Sequence, residues 1–401
     1  MVGLERRLIF GFDAVFLSVT FTNPMTIANP LNPHQLPIVL VLQGGGALGA
    51  YQAGVYQALH EHNLVPDWIV GTSIGAINAA LIAGNPQAER LHKVKAFWDR
   101  VSHPDAMDMG QVSDKLRQSN IWFNTLDTVM RGAPGFFRPR LFSAFPFGMQ
   151  VPPEQASFYD TSELNGTLKE LVDFDYLNAP GGIRLTVNAV NVRTGQLAHF
   201  DSRSGQLCAE HVRASTSLPP AFAPTRVDGE LYWDGGLYSN TPLASVLNEM
   251  PGGDTICFMV DLWSANGPEP VTLDQVSTRQ KDVTFASRSQ RHIDDYVATH
   301  TMQRKLRDMY ARLPAGSRTA QDDADLLALG CDATLHIVRL AYSGHDWHMA
   351  SKDVNFSKGS IEWRWDQGYR DALRALKHAG WLLHVSEDTA VVVHELPPHE
   401  T

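Results

Sequence analysis

From Pro37 onward the chain alternates unbroken apolar runs with stretches of helical period. PIVLVLQ is apolar almost throughout, the pattern of a strand buried on both faces. Ala50 to Glu61 repeats with a helical spacing, and Ala50, Ala53, Gly54, Ala58 and Leu59 form a small-residue packing face. WIVGTS predicts a second short strand, and IGAINAALIAG a second, very apolar helix ending at Gly84. IRLTVNAVNV, TICFMVDLW and LHIVRLAY predict further strands. Alternation of this kind predicts an α/β fold with a largely parallel sheet.

Three regions depart from the pattern. Residues 131–153, RGAPGFFRPRLFSAFPFGMQVPP, are rich in Pro, Gly and Phe and predict a long loop. Residues 275–318 are polar, basic and helical, without a strong apolar stripe. The LHIVRLAY strand beyond them can rejoin the same sheet. At the start, MVGLERR and LIFGFDAVFLSVTF imitate the charged and apolar regions of a signal peptide, but Asp13 interrupts the run and no small-x-small site follows. The expectation is a disordered or mis-assigned leader before Met25, then a Pro/Asn linker to residue 36. No other segment approaches the roughly 18 apolar residues of a spanning helix.

Composition narrows the function classes. The chain has 401 residues, 44% of them apolar, and a formal net charge of -10. That excludes the basic face nucleic acid needs and leaves a local apolar contact with membrane open. The three cysteines, Cys208, Cys257 and Cys331, are far apart, which predicts a reducing, cytoplasmic setting, no disulfide framework and no metal site.

The chemistry begins at GGGALG. Gly44, Gly46 and Gly49 satisfy G-x-G-x-x-G between a strand and a helix, the placement of a dinucleotide fingerprint. That fingerprint also needs an acidic residue ending the second strand, where Gly71-Thr72-Ser73 stands; Asp67 is at the wrong end. A P-loop needs a lysine after the last glycine, where Ala50 and Tyr51 stand. The remaining reading is an oxyanion hole, with backbone N–H groups converging at the positive end of a helix.

A nucleophile stands one unit later. Gly71-Thr72-Ser73-Ile74-Gly75 is a G-x-S-x-G elbow, which presents the serine on a strained strand-to-helix turn. Ser73 needs a base. His336, His345 and His348 are candidates, yet the last two fall in a polar segment, GHDWHMASKD, that reads as a solvated loop. The other candidate is Asp234 in ELYWDGGLYSNTP, which alone would also fit a hairpin turn.

Taken together, these motifs resemble the patatin-like phospholipase family. The glycine loop Gly44–Gly49, the elbow Gly71–Gly75 and Asp234-Gly235-Gly236 occur in the family's order. Ala214-Ser215-Thr216-Ser217-Leu218-Pro219-Pro220 is similar to its A-S-x-x-x-P stretch. The resemblance covers residues 37–264; residues 265–401 look like a C-terminal extension, partly helical, found on a bacterial branch. It implies a three-layer α/β/α sandwich with a mainly parallel central sheet, a Ser73–Asp234 dyad and no cofactor. It also implies an oxyanion hole drawn from Gly44, Gly45, Gly46 and Ala47, with the N–H groups of Gly45 and Gly46 as donors. Two positions depart from the family: Gln43 where many members have Asp, and Leu48 where many carry Arg or Lys.

The resulting expectation is a serine lipid acyl hydrolase acting on phospholipid or other fatty-acyl esters, with peripheral membrane contact. The alternatives are a carboxylesterase for short or hydroxyacid esters and a catalytically weak lipid-binding or scaffold protein. Phe136, Phe137, Leu141, Phe142, Phe145, Phe147 and Met149 offer either an acyl-binding lid or side chains folded onto the core.

Overall fold

The structure is a computed structural model that describes residues 29–105, 114–140, 150–249, 253–286, 288–314, 333–343, 351–382 and 389–396, with positions 319, 321 and 324. Its strands are β1 (Ile38–Leu42), β2 (Trp68–Thr72), β3 (Arg138–Pro139), β4 (Tyr159–Asp160), β5 (Arg184–Asn191), β6 (Leu197–Asp201), β7 (Thr225–Val227), β8 (Glu230–Asp234), β9 (Thr255–Asp261), β10 (Leu335–Ala341) and β11 (Val391–Glu395). The helices on the N-terminal side are α1 (Ala50–Glu61), α2 (Ile74–Ala83), α3 (Gln87–Val101), α4 (Asp114–Arg131), α5 (Ser162–Leu171) and α6 (Phe174–Asn178). They are followed by α7 (Ala209–Ser215), α8 (Leu243–Asn248), α9 (Leu273–Phe285), α10 (Ser289–Ala311) and α11 (Lys358–His378).

Nine strands form one sheet in the order β11-β10-β9-β1-β2-β5-β8-β7, with β6 paired to β5. From β11 to β5 all neighbours are parallel, while β5 pairs antiparallel with β6 and β8. All five residues of β1 are buried. Ile38, Leu40 and Leu42 pack into one core with α1, α2 and α3, and Val39 and Val41 into a second with α8 and α10. Helices on both faces are why β1 reads as unbroken apolar sequence; each fully buried Val, Leu or Ile contributes roughly 1.5–3 kcal/mol. The α/β fold with a mostly parallel sheet is thus as the sequence predicts.

The residues beyond 264 enter this architecture directly. β10 runs parallel to β9 from Leu335 to Ala341, and β11 extends the same sheet. α11 crosses α1 closely. A Cβ on Gly54 would lie 1.9 Å from the Trp365 carbonyl oxygen, and one on Gly368 would lie 2.0 Å from that of Tyr51. The small-residue face of α1 is therefore the seat of α11, and Tyr51 donates its hydroxyl to Asp371 at 2.9 Å.

The segment read as a linker is partly fixed. Asn29 Nδ2 donates to the His62 carbonyl at 2.8 Å, and Trp381 Nε1 to that of Leu31 at 2.9 Å. Residues 1–28 lie outside the described residues, as do Cys331, His345, His348 and residues 141–149, with Leu141, Phe142, Phe145, Phe147 and Met149. Cys208 and Cys257 are free thiols. Among the described residues no helix is long and apolar enough to cross a membrane.

Candidate active site

The parallel strands β1 and β2 end side by side, so the turns that follow them face a common space. The first turn is the glycine loop. Gly46 has φ +55°, and a Cβ on it would meet the Asp353 carbonyl oxygen at 2.3 Å; a Cβ on Gly44 would meet Asn240 Oδ1 at 2.4 Å. Only glycine allows the backbone to run this close to its surroundings. Gly44 N–H donates to the Asn240 carbonyl at 3.2 Å and Ala47 N–H to the Asp353 carbonyl at 2.8 Å. Those two N–H groups are committed, while Gly45 and Gly46, whose N–H groups the resemblance implies as donors, both line the cavity.

The second turn is the elbow. Ser73 has φ 56° and ψ -127°, a strained conformation for a residue with a side chain. A Cβ on Gly71 would lie 2.4 Å from the Gly75 carbonyl oxygen, and one on Gly75 2.3 Å from that of Leu42. This close passage of strand and helix is the physical reason for small residues two before and two after the serine. Ser215, fully buried, accepts the Ser73 N–H on its hydroxyl at 3.0 Å. The Ser217 carbonyl accepts the Asp234 N–H, also at 3.0 Å. The stretch from Ala214 to Pro220 thus braces the serine and the aspartate together.

Asp234 ends β8 and is 1% exposed. It accepts the Gly236 N–H at 2.7 Å. Burial pushes its carboxyl up to about 7, against the opposing pull of the Ser73 side chain and the Gly236 N–H. A carboxylate with that value is a competent base near neutral pH. A Cβ on Gly235 would lie 2.5 Å from the Asn188 carbonyl oxygen, so the first glycine after Asp234 is required for β8 to lie against β5. Gly236 lines the cavity.

Ser73, Asp234, Gly44, Gly45 and Gly46 line one cavity of about 220 Å³. Its remaining wall is mostly apolar and includes Val129, Phe136, Phe137, Tyr159, Leu218, Phe222 and Phe356. Phe136 and Phe137 are 4% and 5% exposed and pack edge to face with one another and with Phe356. They are fixed parts of the wall. His336 is not among the lining residues; it stacks on His394 at the β10–β11 margin. Among the described residues no cluster of three or more His, Cys, Asp or Glu could hold a metal.

Several contributors escaped the sequence reading. Gln43, which stands where many family members have Asp, is fully buried, and its side chain satisfies three backbone groups and one hydroxyl. Its Oε1 accepts from Leu262 and, at 3.0 Å, from Trp263; its Nε2 donates to the Phe285 carbonyl at 3.0 Å and to Thr241 Oγ1 at 2.8 Å. Trp263 Nε1 donates to the Gly44 carbonyl at 2.8 Å. Phe285, Asp353, Val354 and Phe356 come from the region beyond 264 and complete the wall. Asp353 also pairs with Lys281 at 2.8 Å, while the adjacent Lys352 pairs with Asp282 at 2.7 Å. Asn240, in the quoted ELYWDGGLYSNTP, and Asp353, in the polar GHDWHMASKD region, carried no periodic signal to mark them.

Comparison with known proteins follows the same motifs. Residues 40–247, just over half the chain, match the family model described as patatin-like phospholipase, and residues 283–388 match one described as patatin phospholipase. An uncharacterised NTE family protein of Mycobacterium tuberculosis is 30% identical over 227 residues, which cover 56% of this chain and 30% of that protein. A lysophospholipase of Aspergillus terreus is 59% identical over 63 residues, 16% of this chain and 4% of that protein. The chain thus matches less than a third of the length of these curated relatives. Among solved structures, VipD from Legionella pneumophila aligns over 85% of this chain and 67% of its own, with a TM-score of 0.36 and 15% identity.

Proposed function

The chain belongs to the patatin-like phospholipase family, and on that premise we propose that it is a serine lipid acyl hydrolase working through Ser73 and Asp234. The observation that carries this reading is that Ser73, the buried Asp234, Gly45 and Gly46 line one apolar-walled cavity.

In the proposed reaction the ester carbonyl lies against Gly45 and Gly46. Ser73 Oγ bonds to the carbonyl carbon as its proton passes to the Asp234 carboxylate. The tetrahedral oxyanion is held by the two N–H groups; losing one such donor typically costs about 10²–10³ in rate. Collapse breaks the ester C–O bond, and the leaving alcohol takes the proton from Asp234. Water then gives a proton to Asp234 and adds to the acyl-enzyme. The fatty acid departs, Ser73 regains its proton, and no cofactor enters the balance.

The phenylalanine-rich wall supports an acyl chain as the group held, since apolar surface recovers about 0.8 kcal/mol for each methylene buried. The test is hydrolysis of p-nitrophenyl esters from acetyl to palmitoyl by the wild type and Ser73→Ala. Activity that rises with chain length and is absent from the variant is the expected result. A short-chain preference would reassign the substrate to soluble esters, and activity surviving in the variant would remove the mechanism.

A further inference from the structure

The part of α4 whose side chains are described is amphipathic in the reverse sense. Asn124, Thr125 and Thr128 face inward, at 1%, 8% and 0% exposed. They have polar company there. Asn124 Nδ2 donates to Asp105 at 2.9 Å, His103 Nε2 lies 2.6 Å from Thr128 Oγ1, and Ser351 donates to Thr125 at 3.3 Å. The outward side chains are apolar: Phe123, Leu126, Val129 and Met130 are 44%, 42%, 39% and 68% exposed. At helical spacing they fall on one face.

This face is continuous with the cavity. Val129 belongs to both, being partly exposed and a lining residue. Tyr159, also lining, donates its hydroxyl to the Val129 carbonyl at 3.1 Å, and its neighbour Phe158 is 38% exposed. Scattered apolar residues on a surface need no explanation, but a contiguous set at the edge of an apolar cavity does. Charge on the same turns is balanced, since Asp127 and Arg131 pair at 3.0 Å. Attraction to an anionic surface is thus not built into these turns, and the contact they favour is apolar insertion.

We propose that the outward face of α4, with Phe158 beside it, docks the protein on a lipid surface, so that an acyl chain passes along Val129 into the cavity without crossing water. The inference rests on the lipid hydrolase reading above and names where that enzyme meets its substrate.

The test compares wild type, Ser73→Ala, the double variant Leu126→Asp/Met130→Asp and the milder Met130→Gln. Vesicles of phosphatidylcholine are used for co-sedimentation and hydrolysis, and p-nitrophenyl butyrate in solution for basal turnover. Wild type and Ser73→Ala should bind vesicles alike, with little loss in high salt. The double variant should lose about tenfold or more in vesicle binding and phospholipid hydrolysis, Met130→Gln should lose less, and both should turn over butyrate within about twofold of wild type. Vesicle binding by the double variant equal to wild type overturns the proposal. So does a wild-type dimer that the substitutions dissociate, which would assign the face to a second copy. Butyrate hydrolysis by Ser73→Ala would instead sink the catalytic reading, and the vesicle-binding comparison would still decide the docking face.

Discussion

Asn240 and Gly44 are joined by two hydrogen bonds running in opposite directions. Gly44 N–H donates to the Asn240 carbonyl at 3.2 Å, and Asn240 Nδ2 donates back to the Gly44 carbonyl at 3.1 Å. The same Nδ2 reaches the Phe285 carbonyl at 2.9 Å. One side chain therefore ties the glycine loop to the chain leaving Asp234 and to the end of α9. Asn240→Ala removes two of these bonds and should cost about 1–3 kcal/mol of stability. If the loop is an oxyanion hole, kcat should fall about tenfold or more with KM little changed. A loss confined to KM would place Asn240 in substrate binding instead.

The pH dependence follows from Asp234. Its carboxyl is held up to about 7, and the base form is the deprotonated one. The rate kcat/KM should therefore climb through an ionisation near pH 7 and level off above it. Asp234→Asn should abolish that limb along with most of the activity. A profile flat from about pH 5 to 8 with full activity would be inconsistent with Asp234 as the base.

Stability at the same residue should move the opposite way. A raised carboxyl means that between the unfolded and folded values the native state binds more protons than the unfolded chain. Stability is therefore lost as pH rises across that window. Asp234→Asn should be the more stable protein at pH 8, by up to about 4 kcal/mol, with the gain fading below about pH 4. Melting temperatures at the two pH values measure this directly.

Ser73 stores strain that glycine would release. With φ at 56°, Ser73→Gly should raise stability by about 0.5–1 kcal/mol relative to Ser73→Ala, which keeps a Cβ in the same conformation. Both should be inactive. Equal melting temperatures for the two variants would show that the elbow relaxes in solution.

The glycine loop separates chemistry from packing. A Cβ on Gly45 would meet the Leu262 side chain at 2.7 Å, where a rotamer change can relieve it, whereas one on Gly46 would meet the Asp353 backbone at 2.3 Å. Gly45→Ala should fold and lose mainly kcat. Gly46→Ala should lose stability as well, by more than about 1 kcal/mol. The two denaturation midpoints beside the two rates distinguish them.

A residue that answers to its nearest neighbours is legible along the chain. The unbroken apolar run of β1, the glycines flanking Ser73 and the Asp-Gly-Gly turn follow from backbone sterics within a few positions, so their pattern is visible along the chain. A residue that answers to something distant is not. Asp353 meets Ala47 across three hundred positions through its own carbonyl, a contact any residue could make. Gln43, a departure from the family's usual Asp, serves Leu262, Trp263, Thr241 and Phe285, none of them near it in sequence. The outward apolar face of α4 was invisible for another reason. Periodicity reports that two faces differ, but not which one faces the core.

The crossing of α1 by α11 bears on when this molecule can come into being. Gly54 and Gly368 leave each helix grooved to receive the other's backbone, and Asp353, which caps the glycine loop, is threaded just ahead of α11. A nascent chain emerging from the ribosome has made Ser73 and Asp234 long before it has made either. β9 keeps an unpaired edge until β10 emerges, the glycine loop has no cap until Asp353 does, and α1 shows an empty notch until α11 is complete. Residues far beyond Asp234 are therefore needed to pair the open side of β9, to cap the glycine loop and to fill the notch on α1.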